Sequence, residues 1–223
     1  MFAPGGSFVF PALVRSIAMD GRRKLTRATL LTVGIACIIA SVAVIAIPLY
    51  GVWSRNRADT TALDSWNKGG SQALIGVVPG APQRTTAHCG SGSTSDYALV
   101  TFPTLAKYGY AGVAGDGNWD ELTKRSMVHF TTSPAPGQKG NVIIAFHREP
   151  DYEHIDELKA GDTVTVQDKQ CVSFNYRISK RFELDPSRVT QLGNTDGHEL
   201  TLITCTPWFQ DQRRYVWRAE LIA

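Results

Sequence analysis

A cysteine closes one apolar run, a histidine closes another and an arginine opens a third. Together these side chains are the minimum for cysteine acyl transfer. In LTLITCTPWFQDQRRYVWRAELIA (Leu200–Ala223) an apolar stretch ends on Thr204 and Cys205, a polar loop follows, and a second stretch opens on Arg214. A thiol at a strand end with a fixed cation nearby suits a nucleophile, because positive charge favours the thiolate. Well upstream, NVIIAFHREP runs through apolar residues to His147, an imidazole able to give and take protons. A cysteine at a strand end is more often core packing, so its direction matters.

Strand parity supplies that direction. Across residues 214–222, Tyr215, Trp217, Ala219 and Leu221 share one face, and Arg214, Val216, Arg218 and Glu220 the other. The first set is the core side, so Arg214 is expected to point outward. Arg213 falls on the apolar side if the strand extends that far. In the preceding strand Leu200 and Leu202 are the core residues, which puts Thr201, Ile203 and Cys205 on the opposite face. Cys205 and Arg214 are therefore expected to meet on the outer surface of a sheet.

The elements that must position them are short. Apolar runs separated by turn residues cover 98–102, 111–113, 141–146, 163–166, 172–178, 199–204 and 214–222, with brief helical turns at 120–127 and 152–158. Many short strands at this spacing predict a mainly β domain, a barrel or a sandwich. Residues 51–96 are rich in Ser, Thr, Gly and Ala and read as a tether and lead-in, so 54–96 is assigned as linker and 97–223 as the folded domain.

Residues 28–54 carry no charge and contain LLTVGIACIIASVAVIAIPLY, enough to cross a bilayer, which takes roughly 20 apolar residues. The run is longer than the roughly 7–15 apolar residues of a cleaved signal peptide. Arg22, Arg23, Lys24 and Arg27 crowd one flank, while Arg55 and Arg57 are mixed with Asp59 and Asp64 on the other. The positive-inside rule predicts a cytoplasmic N-terminus (1–27), a transmembrane helix (28–53) and an extracellular remainder. Tyr50 and Trp53 sit where interfacial aromatics are expected. The net charge of +3, with no basic stripe, argues against a nucleic-acid partner.

Cys37 lies inside the span. The other three cysteines face an oxidising compartment, where a Cys89–Cys171 disulfide is one candidate pairing and would leave Cys205 as the odd thiol. His129, His154 and His198 lack such a setting and read as surface residues. The acidic run Glu149, Asp151, Glu153, Asp156 and Glu157 reads as a solvated loop rather than a calcium site.

With these residues in hand, the chain resembles the sortase family, the membrane-anchored cysteine transpeptidases of Gram-positive bacteria. The resemblance rests on TLITCTP (Thr201–Pro207), on the arginine opening the next strand, and on PGQKGNVIIAFHR (Pro136–Arg148). HFTTSPAPGQ, ELKAGDTVTV and RYVWRAEL follow the family pattern in the same order, over 98–223. The resemblance implies a closed eight-stranded β-barrel; no cofactor and no metal ligand is assigned. It makes Cys205 the nucleophile, His147 the proton carrier, Arg214 the hydrogen-bond donor to substrate backbone or oxyanion, and Thr204 an oxyanion helper. The implied partners are surface proteins carrying a C-terminal LPxTG-type or LAxTG-type sorting signal. An amine acceptor, from a cell-wall precursor or a pilin lysine, completes the reaction. TLITCTP and the short Cys–Arg loop are closer to the class D/E group than to class A, and the single-domain length favours a cell-wall acceptor. Phe146 departs from the pattern, which has glycine before the histidine, and is expected to reshape the groove beside the imidazole. The rival readings are a membrane-tethered scaffold that keeps the barrel without activity and a secreted cysteine hydrolase.

Overall fold

Eight strands close into one barrel in the order β1–β2–β3–β4–β7–β8–β6–β5. They are β1 (Asp96–Thr101), β2 (Ala111–Gly117), β3 (Met127–Phe130), β4 (Gly140–Phe146), β5 (Thr163–Gln167), β6 (Ser173–Leu184), β7 (His198–Thr206) and β8 (Arg213–Leu221), preceded by helix α1 (Ala12–Ile75). This computed structural model describes residues 12–75, 89, 95–188, 193–207 and 212–222, with the helix side chains of 29–68. The closed eight-stranded barrel is the fold expected from the sequence.

The chain divides into two units, Met1–Tyr50 and Gly51–Ala223. In the first, Leu30, Ile38, Ile45 and their apolar neighbours are all exposed. Thr29–Lys68 contains an 18-residue stretch apolar enough to cross a membrane. Ser41 donates to Cys37 O at 2.8 Å and Thr32 to Thr29 O at 2.9 Å, so these hydroxyls are satisfied within the helix, as an apolar surrounding requires. The expected helix ends at 53, but α1 runs on to Ile75 through the first part of the assigned linker. The rest of that linker, 76–88 and 90–94, lies outside the described residues, as does 1–11 of the N-terminal segment.

In the second unit most strand pairs are antiparallel, but β2–β3 and β4–β7 are parallel. Inside the barrel, Val142, Ile144 and Phe146 of β4 face Leu200 and Leu202 of β7 and Trp217 and Ala219 of β8, all buried. The Trp217 indole donates to Leu158 O at 2.8 Å, which satisfies its one polar atom. The alternate residues of the same strands, Ile143, Ala145, Ile203 and Val216, form a second cluster with Val128 on the outer wall. Leu122, Phe130, Phe182 and Leu184 pack on it from the sides. β4 is thus buried on both faces.

The glycine-rich motif before β4 sets its register. Gly140 opens the strand at φ +122°, where a side chain is strained, and a Cβ there would meet Asn194 Oδ1 at 2.3 Å. Next to it the buried Asn141 accepts the Thr201 hydroxyl at 2.6 Å and donates from Nδ2 to Gly193 O at 3.0 Å. The β4–β7 ladder is therefore pinned at its start.

Candidate active site

Parallel pairing of β4 and β7 brings their C-terminal ends to the same rim of the barrel. The register runs from Gly140↔His198 to Ala145↔Ile203, after which Phe146 and His147 follow on one side and Thr204 and Cys205 on the other. β8 runs antiparallel to β7, so its first residues reach that rim too, and Cys205 lies opposite Arg214. Residues directly opposite in such a ladder have Cα atoms about 4.5–5.5 Å apart. Cys205 shares a face with Ile203, and Arg214 with Val216, both in the outer cluster. The three residues expected from the sequence thus lie at the same end of three neighbouring strands, on the face of the barrel wall that carries the outer cluster. Cys205 is partly exposed and outside any disulfide.

Arg213 is the wrong residue for this face. It is exposed, lies opposite Thr206, and pairs with Glu183 at 2.9 Å. Arg214 donates from Nη1 to the Arg213 carbonyl at 3.2 Å.

His147 follows the last residue of β4 and is half-buried. Its backbone N–H donates to Ser126 O at 2.8 Å, and its Nε2 lies 2.7 Å from Leu122 O. A carbonyl only accepts, so Nε2 carries the proton, and the neutral ring keeps its lone pair on Nδ1. Burial holds this imidazole below its ordinary pKa. The bond to Leu122 O and the Asp151 carboxylate oppose that shift, whereas the Arg55 charge adds to it.

Thr204 is buried, and its hydroxyl donates to Phe146 O at 2.7 Å, one step from His147 and Cys205. Phe146 itself does not line the groove. Its ring points into the barrel, 5.3 Å from Tyr152, 6.3 Å from Phe102 and 6.4 Å from Trp217 between centroids. The expectation that it reshapes the groove is corrected by strand parity: the residue before His147 faces inward.

Two other readings change. His129 is only 2 % exposed rather than a surface residue. It stacks on Tyr97 at 3.7 Å and lies 2.9 Å from both Asp116 Oδ1 and Ser133 Oγ. That line looks like a nucleophile triad, but Ser133 Oγ accepts the Ile143 N–H at 3.0 Å and donates to Phe130 O at 2.8 Å, so it serves as a brace between β3 and β4. His154 and His198 are exposed, as expected. The acidic run is not simply solvated: Asp156 lies 3.1 Å from Arg148, Glu153 O accepts from it at 3.4 Å, and Asp151 bonds Ser126 at 2.5 Å. Among the described residues, no group of three or more His, Cys, Asp or Glu is placed to hold a metal ion.

The candidate disulfide is present, with Cys89 and Cys171 bonded and their Cα atoms 5.2 Å apart. Residues that sequence reasoning did not assign to the site are Ser126, Leu122, Arg55 and Asp59, all near His147. For Arg55 and Asp59 the signal in the sequence is a stripe on α1, where Asp59, Ala62, Leu63 and Trp66 follow i, i+3, i+4, i+7 spacing; Leu122 and Ser126 carry none.

Comparison with known proteins agrees with this geometry. The family model "Sortase domain" matches residues 103–222. Sortase SrtE2 of Streptomyces coelicolor is 29% identical over 102 residues, which is 41% of this chain and 40% of that protein, so the match spans well under half of that relative. Among solved structures, a Clostridium perfringens sortase D5 transpeptidase is 24% identical with a TM-score of 0.54, over 76% of this chain and 99% of the other. Sortase E from Streptomyces avermitilis is 25% identical with a TM-score of 0.50, over 58% and 89%. With a family match over more than half its length, this chain belongs to the sortase family.

Proposed function

We propose that the chain is a membrane-anchored cysteine transpeptidase that cleaves an LPxTG-like or LAxTG-like sorting signal. The observation that supports the reading is that Cys205 lies opposite Arg214 in the β7–β8 ladder, while His147, well upstream in sequence, follows the end of the adjoining strand β4. Cys205 gives its thiol proton to the Nδ1 lone pair of His147, its Sγ attacks the threonine carbonyl, and the C–N bond to the next residue breaks. The leaving amine takes a proton from His147, and the signal is left as a thioester on Cys205. An incoming amine then attacks the thioester carbonyl and gives its proton to His147, and the Cys205 sulfur leaves. Arg214 supplies permanent charge and planar donors to the oxyanion or the substrate backbone. Thr204 supports the site by fixing the step between Phe146 and His147, since its hydroxyl hydrogen is engaged by Phe146 O. The partly exposed Leu122, Phe130, Phe182 and Leu184, packed over the outer cluster, suit the aliphatic part of such a signal.

The basic flank at Arg22–Arg27 supports a cytoplasmic N-terminus and a catalytic domain outside the cell, where sorting signals of surface proteins and amines of the cell wall or of pilins are met. Incubation of the protein with LPxTG and LAxTG peptides and a glycine-type amine tests this. Ligated product from the wild type, absent for Cys205→Ala and His147→Ala, is the expected outcome. Hydrolysed peptide with no ligated product at any amine concentration would overturn transpeptidation, and no cleavage at all would overturn the enzyme.

A further inference from the structure

Beyond the membrane-spanning stretch, α1 presents one stripe made of Arg55, Asp59, Ala62, Leu63 and Trp66. Its lower part is a hydrophobic dock: Trp66 is 1% exposed, packs with Ala62, Cys89 and Val113, and donates its indole N–H to Gln167 Oε1 at 2.9 Å. Its upper part is polar. Asp59 accepts the Ser126 N–H at 3.3 and 3.2 Å on its two oxygens, and its Oδ2 also meets the Ser126 hydroxyl. Ser126 Oγ lies 2.5 Å from Asp151 Oδ2, and Ser126 O holds the His147 N–H at 2.8 Å. Through its amide, hydroxyl and carbonyl, Ser126 therefore links α1, the segment after β4 and the backbone of His147.

The hydrogens in this cluster can be counted. The Ser126 hydroxyl has one hydrogen and touches two carboxylates, so one of those oxygen–oxygen contacts needs a proton of its own. We propose that Asp59 is a positioning residue for His147 and that it acts as a neutral carboxylic acid. Its O–H donates to Ser126 Oγ, its other oxygen accepts the Ser126 N–H, and the Ser126 hydroxyl donates to Asp151. Burial of Asp59 and the charge of Asp151 favour that neutral form; the Ser126 hydrogen bonds and Arg125 oppose it. Arg55, one turn earlier on the same stripe, has a buried Nε with no hydrogen-bond partner, and its charge acts on the His147 imidazole. The stretch of α1 beyond the bilayer is thus part of the apparatus that aims the proton carrier. This inference rests on His147 having the role proposed above.

The test compares Asp59→Asn, Asp59→Leu and Trp66→Leu in the full-length protein, with steady-state ligation of a sorting-signal peptide to a glycine-type amine and a thermal melt for each. An Asn side chain reproduces the acceptor and donor pattern of the neutral acid. Asp59→Asn is therefore expected to keep kcat within about twofold, while Asp59→Leu loses about tenfold in kcat with KM unchanged. Trp66→Leu is expected to lower the melting temperature and keep kcat. Equal loss in Asp59→Asn and Asp59→Leu would overturn the neutral acid. Equal loss in Asp59→Leu and Trp66→Leu would overturn positioning by Asp59 in favour of general docking, and wild-type kcat in Asp59→Leu would overturn any role. A wild type that forms no product overturns the proposed function itself, and this inference with it.

Discussion

At the scale of single residues, the site is a matter of which face each side chain takes. Arg214 and Arg213 are neighbours with the same charge, yet only Arg214 is opposite Cys205, while Arg213 spends its charge on Glu183 at the surface. Arg214→Ala is expected to lower kcat/KM by about 10²–10³, the usual cost of one oxyanion-directed donor. Arg213→Ala should stay within about threefold, since an exposed ion pair contributes only about 0–1 kcal/mol. Steady-state ligation assays on the two variants measure the contrast. Phe146 makes the opposite point. Its ring belongs to the core with Tyr152 and Trp217, so Phe146→Gly should cost about 3–5 kcal/mol in urea unfolding and leave the order of preference among signal peptides unchanged.

At the scale of elements, parity was legible in the sequence wherever a strand has one apolar face. β8 reads correctly because Tyr215, Trp217, Ala219 and Leu221 alternate with Arg214, Arg218 and Glu220 around the buried Val216. β3 carries no such signal, because Met127, Val128 and His129 are buried on both faces, which erases alternation, and its first residue falls in the helical turn expected over 120–127. That turn is real but shorter, a 3₁₀ segment at Trp119–Thr123 capped by the Asn118 side chain. The docking stretch of α1 was hidden for another reason. Ala62, Leu63 and Trp66 are few among Ser, Thr and Asn, so composition suggested a tether while the spacing encodes a helix face. How Ser126 links that face to His147 depends on contacts between distant segments, which no local pattern carries. The dock leans on the Cys89–Cys171 bridge, which closes a separation of 82 residues. Cys89→Ser with Cys171→Ser is expected to lower unfolding free energy by about 2–4 kcal/mol, read by denaturant titration.

At the scale of the whole molecule, the barrel places two depressed imidazoles within its folded domain, His129 and His147, both lowered chiefly by burial. The unfolded chain binds protons on these rings near the ordinary value of 6.5, and the folded chain does so only at lower pH. Their contribution is therefore fully present above about pH 6.5 and is lost as pH falls through the folded values. Asp59 has the opposite sign, because its folded pKa is raised, and its contribution fades as pH rises. The urea midpoint of the domain is expected to be lower at about pH 5.5 than at about pH 7.5, and His129→Gln should flatten that difference. A His129→Gln variant that keeps the full pH difference would contradict that role for the buried His129 ring. The central claim is covalent chemistry at Cys205, and intact-mass measurement of the full-length protein with a sorting-signal peptide and no amine tests it most directly. The expected result is an adduct with the mass of the N-terminal peptide fragment, mapped to Cys205, released by hydroxylamine and absent in Cys205→Ala. A folded protein whose Cys205 still reacts with an alkylating reagent but gains no such mass would contradict it.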